Sequence, residues 1–321
     1  MVAISTRALK IGLLLPHWEG SLDGTTPTWM DVLAIARQAE AVGFDSLWVV
    51  DHLFFRRDEM MEHFGLPVPP ALAGLPPIGC WEGWSVLAAI AATTSRVELG
   101  TLVACAGYRN PALLAKMADT LDEISGGRLI LGLGTGDSIF EHRTFGYPTD
   151  HPVSRFEEAL AIVHPLLRSG RVDFRGAYYQ ARECELRPRG PRPDGPPIVI
   201  AGTGPRVLRL AAQYADGWNG WLAYGRSQPD VLPPLRAKVD AACREVGRDP
   251  ATLTRSVGAR VAVLGRTMPG AEPLCGSVQE IVAGLRAFAD EGITHLQVAL
   301  APSTLAGIEA FTSVLELLDS G

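Results

Sequence analysis

Short runs of consecutive apolar residues alternate along the chain with longer segments in which apolar residues recur every three or four positions. The short runs are apolar at successive positions, which is typical of strands in a parallel sheet covered on both faces. The longer segments have the period of amphipathic helices. The alternation therefore predicts a series of βα units. Eight strands are expected, at residues 9–15, 46–51, 97–103, 129–134, 197–201, 217–221, 256–264 and 295–300.

The starts of several helices are marked by residues that satisfy free backbone N–H groups. Thr28, Ser154 and Ser277 are each followed three residues later by an acidic residue, which is the spacing of a capping box. Asn110 precedes Pro111, a pair that suits an N-cap and the first helical position. No linker or change in composition divides the chain. We therefore predict an α/β fold, a single (βα)8 TIM barrel that forms one domain over residues 1–321.

Three connections are longer than a strand-to-helix turn requires, at residues 53–80, 138–152 and 265–276. Each follows a predicted strand, so each lies at the C-terminal face of the barrel, where active sites are built from such loops. We expect these insertions to form the walls and lid of a substrate pocket. The segment 172–196 is predicted to be a peripheral hairpin instead.

Composition and charge narrow the class of protein. Of 321 residues, 47% are hydrophobic and 20% are charged, as in a globular protein with a large core. A net charge of −6 gives no basic surface for nucleic acid or an anionic membrane, so a small molecule is the expected partner. The five cysteines form no CxxC pair, which favours a reducing compartment. With no apolar segment long enough for a leader or a membrane span, a cytoplasmic location is expected.

Polar residues and glycines follow two of the predicted strands. Asp51 and His52 end the second strand, where a histidine beside a carboxylate can exchange a proton near neutral pH. The alternative is a structural pair that closes the strand. The segment 132–137, GLGTGD, follows the fourth strand and lacks the last glycine of a dinucleotide fingerprint. It predicts either a tight turn or a place where backbone approaches a planar ligand, with Asp137 pointing into the pocket.

The segment 202–206, GTGPR, follows the fifth strand and opens a helix. Free N–H groups at a helix start attract anions, and Arg206 and Arg209 would add positive charge, so a phosphate site is predicted. An ordinary helix entry with a surface arginine is the alternative. No metal site is assigned, because the seven histidines show neither HxH nor HExxH spacing. His17 and His52 follow strands one and two and could meet in space, so a metal-dependent hydrolase is a minor alternative that lacks a clear third ligand.

The order of these segments resembles the bacterial luciferase-like family of flavin and deazaflavin oxidoreductases. The resemblance covers nearly the whole chain and is carried by residues 39–52, 94–101, 109–128, 131–136 and 198–204. It implies a (βα)8 barrel that binds coenzyme F420, a deazaflavin, with FMN as the alternative cofactor. It places the cofactor ring at the C-terminal ends of the strands.

The resemblance also implies roles for single residues. His52 would handle a proton beside the carbon that exchanges the hydride, Asp51 would orient the site, and Asp137 could assist. A cis peptide is expected between Leu102 and Val103. The implied cofactor-binding residues are Asp51, Thr101, Leu102, Val103, Ala104, Gly134, Thr135, Gly136, Ala201, Gly202, Thr203 and Gly204. The substrate pocket is expected to contain His17, Arg56, Trp84 and Trp221. For Trp84, which opens an Ala/Val-rich helix, packing is the alternative to a place at the rim.

The function implied is hydride transfer between F420 and a small organic substrate. Arg56 stands where the sugar-phosphate dehydrogenases of the family carry a tryptophan, which disfavours that substrate. One alternative is an FMN-dependent monooxygenase supplied with reduced flavin by a separate reductase. Another is a flavin-binding protein without turnover. The resemblance further implies a homodimer.

Overall fold

The computed structural model describes residues 7–63, 65–223, 225–267 and 272–320. The strands over these residues are β1 (Lys10–Leu14), β2 (Ser46–Val49), β3 (Phe54–Phe55), β4 (Ile78–Gly79), β5 (Glu98–Thr101), β6 (Ala104–Cys105), β7 (Leu129–Gly134), β8 (Arg171–Arg175), β9 (Gln180–Glu185), β10 (Ile198–Ala201), β11 (Gly217–Trp221), β12 (Thr254–Ala262), β13 (Leu274–Cys275) and β14 (His295–Ala301). The α-helices are α1 (Trp29–Val42), α2 (Arg57–His63), α3 (Gly83–Thr93), α4 (Pro111–Ser125), α5 (Ile139–Phe145), α6 (Pro152–Ser169), α7 (Pro205–Tyr214), α8 (Leu232–Glu245), α9 (Val278–Asp290) and α10 (Leu305–Asp319).

Eight of the strands close into a parallel barrel in the order β1, β2, β5, β7, β10, β11, β12, β14. The ring is complete because β7 pairs with β10 and β14 pairs with β1. Each of the eight predicted strands is found within a few residues of its predicted position, and β7 and β11 have the predicted bounds. The TIM-barrel prediction is confirmed.

Two hydrophobic layers hold the barrel together. The main layer lies between the strands and the surrounding helices. The second contains Leu14, Trp48, Leu102 and Ile130. Leu14, Trp48 and Ile130 alternate along their strands with members of the main layer and therefore point into the barrel, and Leu102, just after β5, packs with them. A Cβ atom on Gly100 would lie 2.2 Å from the Trp48 ring, so this ring fits only because residue 100 has no side chain. The inner layer forms the base on which the C-terminal face is built.

Most of the predicted helix caps are present. Capping boxes occur at residues 28–31 and 277–280, and Asn110 caps α4 with proline at its first position. The box predicted at residues 154–157 is wrong. Helix α6 begins earlier, at Pro152, because proline suits the first helical position. The preceding residue, His151, has a left-handed backbone conformation that lies outside the helix.

The insertions lie where the sequence predicts them. The segment 172–196 contains the antiparallel hairpin β8–β9. The connection 53–80 contains β3, α2 and β4, and we call its residues 53–63 and 65–79 the lid. Residues 268–271 of the third insertion lie outside the described residues, and its described part includes β13, which pairs with β12. Among the described helices, none combines the length and apolar character that crossing a membrane requires.

Candidate active site

A cavity of about 540 Å³ opens at the C-terminal ends of the barrel strands. The lid contributes Phe55, Met60 and His63 to its wall. The predicted site residues that line it are Asp51, His52, Leu102, Val103, Gly134, Thr135, Gly136, Asp137, Ala201, Gly202, Thr203, Gly204 and Trp221. Further lining residues that the sequence did not single out include Trp18, Cys105, Tyr108, Asn219, Arg260 and Ser303.

Two residues expected in the substrate pocket lie elsewhere. Trp84 is 4% exposed and belongs to the main core, on the same face of α3 as Leu87 and Ile90. Arg56 forms a salt bridge with Asp58, with 2.9 Å between Nη2 and Oδ2, and it does not line the cavity. These two placements are corrections to the predicted pocket.

Three other predicted residues support the cavity from beneath without lining it. The hydroxyl of Thr101 is buried and donates a hydrogen bond to the carbonyl oxygen of Gly132 at 2.8 Å. Ala104 is buried in the main core. His17 is fully buried, and its Nε2 accepts a hydrogen bond from the backbone N–H of Val50 at 3.0 Å. Burial lowers the pKa of His17 to about 4, and the nearby charge of His52 acts in the same direction. His17 is therefore a neutral link between the ends of β1 and β2.

His52 lies between two carboxylates at the cavity wall. Its Nδ1 is 2.8 Å from Oε2 of Glu141, and its Nε2 is 3.9 Å from Oδ1 of Asp137. The Glu141 side chain is fully buried, whereas those of His52 and Asp137 are 15% and 28% exposed. Glu141 was not predicted. It lies three residues beyond Ser138, the N-cap of α5, and this Ser-x-x-Glu spacing at a helix start is the signal in the sequence that could have found it.

The charge of His52 follows from these neighbours. Burial lowers the pKa of the imidazole, but the charges of Asp137 and Glu141, together with the hydrogen bond to Glu141, outweigh burial and raise it to about 9. His52 is consequently protonated at neutral pH. A cationic imidazole at the edge of a cavity can donate a proton to a bound molecule.

Asp51 is held by a partly buried arginine, Arg109, which the sequence analysis does not identify as a site residue. Arg109 donates from Nη1 to Oδ2 of Asp51 at 2.6 Å and from Nη2 to Oδ1 at 2.9 Å, and Glu82 pairs with the same guanidinium at 2.8 Å. The N–H of Cys105 also donates to Oδ2 at 2.9 Å. Burial raises the pKa of Asp51, while Arg109 favours its charged form. With both oxygens engaged, Asp51 fixes the backbone just after the Leu102–Val103 peptide, which is cis as predicted.

Two glycines line the cavity at and just after the end of β7, where no side chain fits. A Cβ atom on Gly134 would lie 2.8 Å from Val103 Cγ2, and one on Gly136 would lie 2.6 Å from the sulfur of Cys105. Gly136 also has φ +83°, a conformation that favours glycine. The side chains of Val103 and Cys105 fill the space beside these two glycines, so a larger residue at either position would displace the cavity wall.

The start of α7 opens into the same cavity. Thr203 and Gly204 line it, and Gly204 is the N-cap of α7 without a side chain to satisfy the first N–H groups. The geometry suits an anion. The expected help from two arginines is corrected, since Arg206 pairs with Glu157 and Arg209 pairs with Glu245. Their charges are compensated by neighbouring helices, so the helix start provides the attraction for the anion.

The sequence of this chain is similar to a family of known enzymes and to individual members of it. The model of the luciferase-like monooxygenase family matches residues 9–268. A phthiodiolone/phenolphthiodiolone dimycocerosates ketoreductase of Mycobacterium tuberculosis is 35% identical over 268 residues, 80% of this chain and 68% of that protein. An F420-dependent hydroxymycolic acid dehydrogenase of the same species is 32% identical over 248 residues, 76% of this chain and 60% of that protein.

The fold is also similar to that of a solved structure. An F420-dependent secondary alcohol dehydrogenase, solved with an F420–acetone adduct, superposes with a TM-score of 0.75 at 21% identity. The superposition covers 97% of this chain and 99% of that one. At this level of identity, the likeness supports the barrel architecture.

Proposed function

This chain belongs to the luciferase-like monooxygenase family, and we propose that it is an F420-dependent oxidoreductase that exchanges a hydride with an alcohol or carbonyl carbon of a small organic substrate. The observation that carries the proposal is the cationic His52, held between Asp137 and Glu141 at the wall of the cavity. The relatives named above reduce ketones or oxidise alcohols according to their names, which supports the same chemical class.

The residues of the cavity fit a deazaflavin. Gly134, Gly136 and the Leu102–Val103 segment would hold the planar ring, and the start of α7 at Thr203 and Gly204 would hold a phosphate. F420, when bound, supplies or accepts the hydride. The protein's contribution is to orient the reacting carbon and to manage the proton that accompanies the hydride.

His52 manages that proton. In carbonyl reduction, Nε2 of the imidazolium donates its proton to the substrate oxygen while Nδ1 stays hydrogen-bonded to Glu141. In alcohol oxidation, the neutral imidazole accepts the hydroxyl proton at the same atom. Phe55 and Met60 of the lid exclude water from this end of the cavity. Asp51 holds the neighbouring backbone through its contacts with Arg109 and Cys105.

The two reaction directions are expected to have opposite pH dependence. Because the pKa of His52 is about 9, carbonyl reduction needs the form present below that pH and should decline as pH rises through it. Alcohol oxidation needs the neutral form and should increase over the same interval. Turnover numbers measured with saturating F420 from pH 6 to 10.5 in both directions test this expectation. Parallel profiles in the two directions would contradict the role of His52.

Cofactor identity is tested by titrating the protein with F420 and FMN, each oxidised and reduced, and following fluorescence. Selective binding of F420, followed by its reduction with a secondary alcohol, is the expected result. A preference for reduced FMN with oxygen consumption would favour the monooxygenase alternative. Tight binding without turnover across a panel of alcohols, aldehydes and ketones would favour a non-catalytic flavin-binding protein.

Replacing Gly204 with Asp is expected to separate helix stability from cofactor binding. The position has an extended N-cap conformation, and a Cβ atom there meets no heavy atom within 4 Å, so Asp fits and caps α7. The thermal midpoint should stay equal or rise. The same carboxylate repels a phosphate at the helix start, and F420 affinity should fall by about tenfold or more, since like charges in close contact cost about 1 kcal/mol or more.

The matched control for this substitution is Gly204→Asn, which caps the helix without adding charge. It should retain most of the F420 affinity. If the Asp and Asn variants bind F420 with equal affinity in a fluorescence titration, the phosphate does not bind at this position.

We also propose that residues 1–321 form one domain that works as a homodimer in the cytoplasm. All five cysteines are free thiols, which suits a reducing compartment. Light scattering after size-exclusion chromatography tests the dimer, and limited proteolysis tests the single domain.

A further inference from the structure

Glu141 uses its two oxygens for two different partners. Oε2 is 2.8 Å from Nδ1 of His52. Oε1 accepts hydrogen bonds from the backbone N–H groups of Leu53 at 2.6 Å and Phe54 at 3.2 Å. The carboxylate is fully buried on α5. One side chain therefore holds both the histidine ring and the first residues of the lid.

Other contacts dock the lid against the same short helix. Glu59 of α2 accepts hydrogen bonds from the hydroxyl of Ser138 at 3.0 Å and the N–H of Phe140 at 3.1 Å, both at the start of α5. The Phe54 ring packs against those of Phe140 and Phe145, with centroids 5.0 and 5.3 Å away. Glu59 thus anchors the lid to α5 without touching His52. It offers a comparison for Glu141, which anchors the lid and also contacts the ring.

We propose that Glu141 is a positioning residue that holds the His52 ring in its proton-donating orientation and anchors the lid through the same carboxylate. This inference rests on the proposed function. A carboxylate opposite Nδ1 keeps a proton on that nitrogen, which aims Nε2 at the cavity. Because Leu53 directly follows His52, the hydrogen bonds to the lid also fix the main chain that carries the ring.

The other charges that face His52 have separate origins. Asp137 comes from the turn after β7, Asp51 precedes His52 in the chain, and His17 comes from the end of β1. Asp51 is engaged by Arg109, and Asp137 lies 3.9 Å from the opposite ring nitrogen. Glu141 is therefore the acidic group positioned to fix Nδ1.

The substitution Glu141→Gln tests the hold on the ring. The glutamine carbonyl can still accept from the N–H groups of Leu53 and Phe54, but the amide cannot supply the charge that favours imidazolium. NMR titration of the histidine Cε1–H signals, with His52 assigned from its own substitution, should show its pKa falling by about one unit or more, a tenfold weaker proton affinity. Glu59→Gln removes a comparable carboxylate from the same interface and should leave the His52 pKa within about 0.3 unit.

The substitution Glu141→Ala tests the hold on the lid. Hydrogen exchange at the amides of Leu53 and Phe54 should become faster in this variant, by about tenfold or more if one charge-assisted hydrogen bond is lost. In Glu141→Gln the same amides should stay protected. Should the alanine variant not fold, Glu141→Asp keeps the charge but shortens the reach, and both a lower His52 pKa and faster exchange are expected.

An unchanged His52 pKa in a folded Glu141→Gln variant would overturn the inference, as would an equal fall in Glu59→Gln. Neither readout requires F420 or a substrate. The two claims are therefore distinguishable: absence of F420 binding would overturn the proposed function, whereas these titrations report on Glu141 alone. With an active enzyme, the pH midpoint of carbonyl reduction in Glu141→Gln should move down together with the NMR pKa.

Discussion

His52→Ala is expected to lower turnover by about a hundredfold to ten-thousandfold, the usual contribution of a positioned general acid or base. The effect should fall on kcat, because His52 is proposed to act on the substrate oxygen while the glycine-lined floor and the start of α7 hold the cofactor. F420 affinity should stay within about threefold of the wild-type value. Steady-state rates with a reactive secondary alcohol or ketone, together with an F420 fluorescence titration, measure both quantities.

His164→Ala is the matched control for this prediction. His164 lies on α6 with its ring against Tyr214, outside the cavity lining, so both turnover and F420 affinity should be unchanged. Turnover above about one-tenth of wild type in His52→Ala would exclude the general acid–base role. A parallel loss of F420 binding would instead assign His52 to the cofactor site.

The barrel could be predicted from the sequence because its signals are local. Buried parallel strands read as continuous apolar runs, and each is followed by a helix with its own start signal. The same reasoning supports the packing alternative for Trp84. Counted from Trp84, the apolar residues Leu87 and Ile90 follow at helical spacing, which puts all three on the buried face of α3. Its position near a long loop suggested the rim, but the helical period decides its direction.

The partners of the site residues were harder to predict, because they come from distant parts of the chain. Arg109 lies 58 residues beyond Asp51, and neither residue has a neighbour in the sequence that indicates the pair. The sequence suggests that Arg206 and Arg209 are free to bind a phosphate, yet each forms an ion pair with a glutamate from a different helix. Charge compensation between elements is a property of tertiary packing, and a single sequence does not record it.

Glu141 falls between these two cases. Its position three residues after the N-cap Ser138 is local and could be read from the sequence. Its two functions, however, depend on contacts with His52 and with the lid, which come from a distant part of the chain. The resemblance to a known family pointed to His52 and to the backbone around residues 102 and 134. It did not indicate what sets the charge of the histidine. That property follows from burial and from two carboxylates that only the fold brings together.

Arg109→Ala is expected to destabilise the protein by about 3–5 kcal/mol, because it leaves a buried carboxylate without its partner. The Asp51 side chain is 2% exposed and that of Arg109 is 12% exposed, so the carboxylate loses its main partner in a site largely shielded from solvent. The hydrogen bond from Cys105 stays, but one neutral donor does not compensate a buried charge. Urea unfolding followed by circular dichroism gives the change in the free energy of unfolding.

Arg206→Ala provides the comparison, since it also removes an arginine from a pair with a carboxylate. Both side chains of that pair are about half exposed, and its loss should cost about 0–1 kcal/mol. A similar small cost for Arg109→Ala would mean that Asp51 takes up a proton on losing its partner. In that event the double substitution Arg109→Ala with Asp51→Asn should be no more stable than Arg109→Ala alone. If Asp51 instead remains charged, Asp51→Asn should recover part of the lost stability, because it removes the charge that Arg109 had compensated.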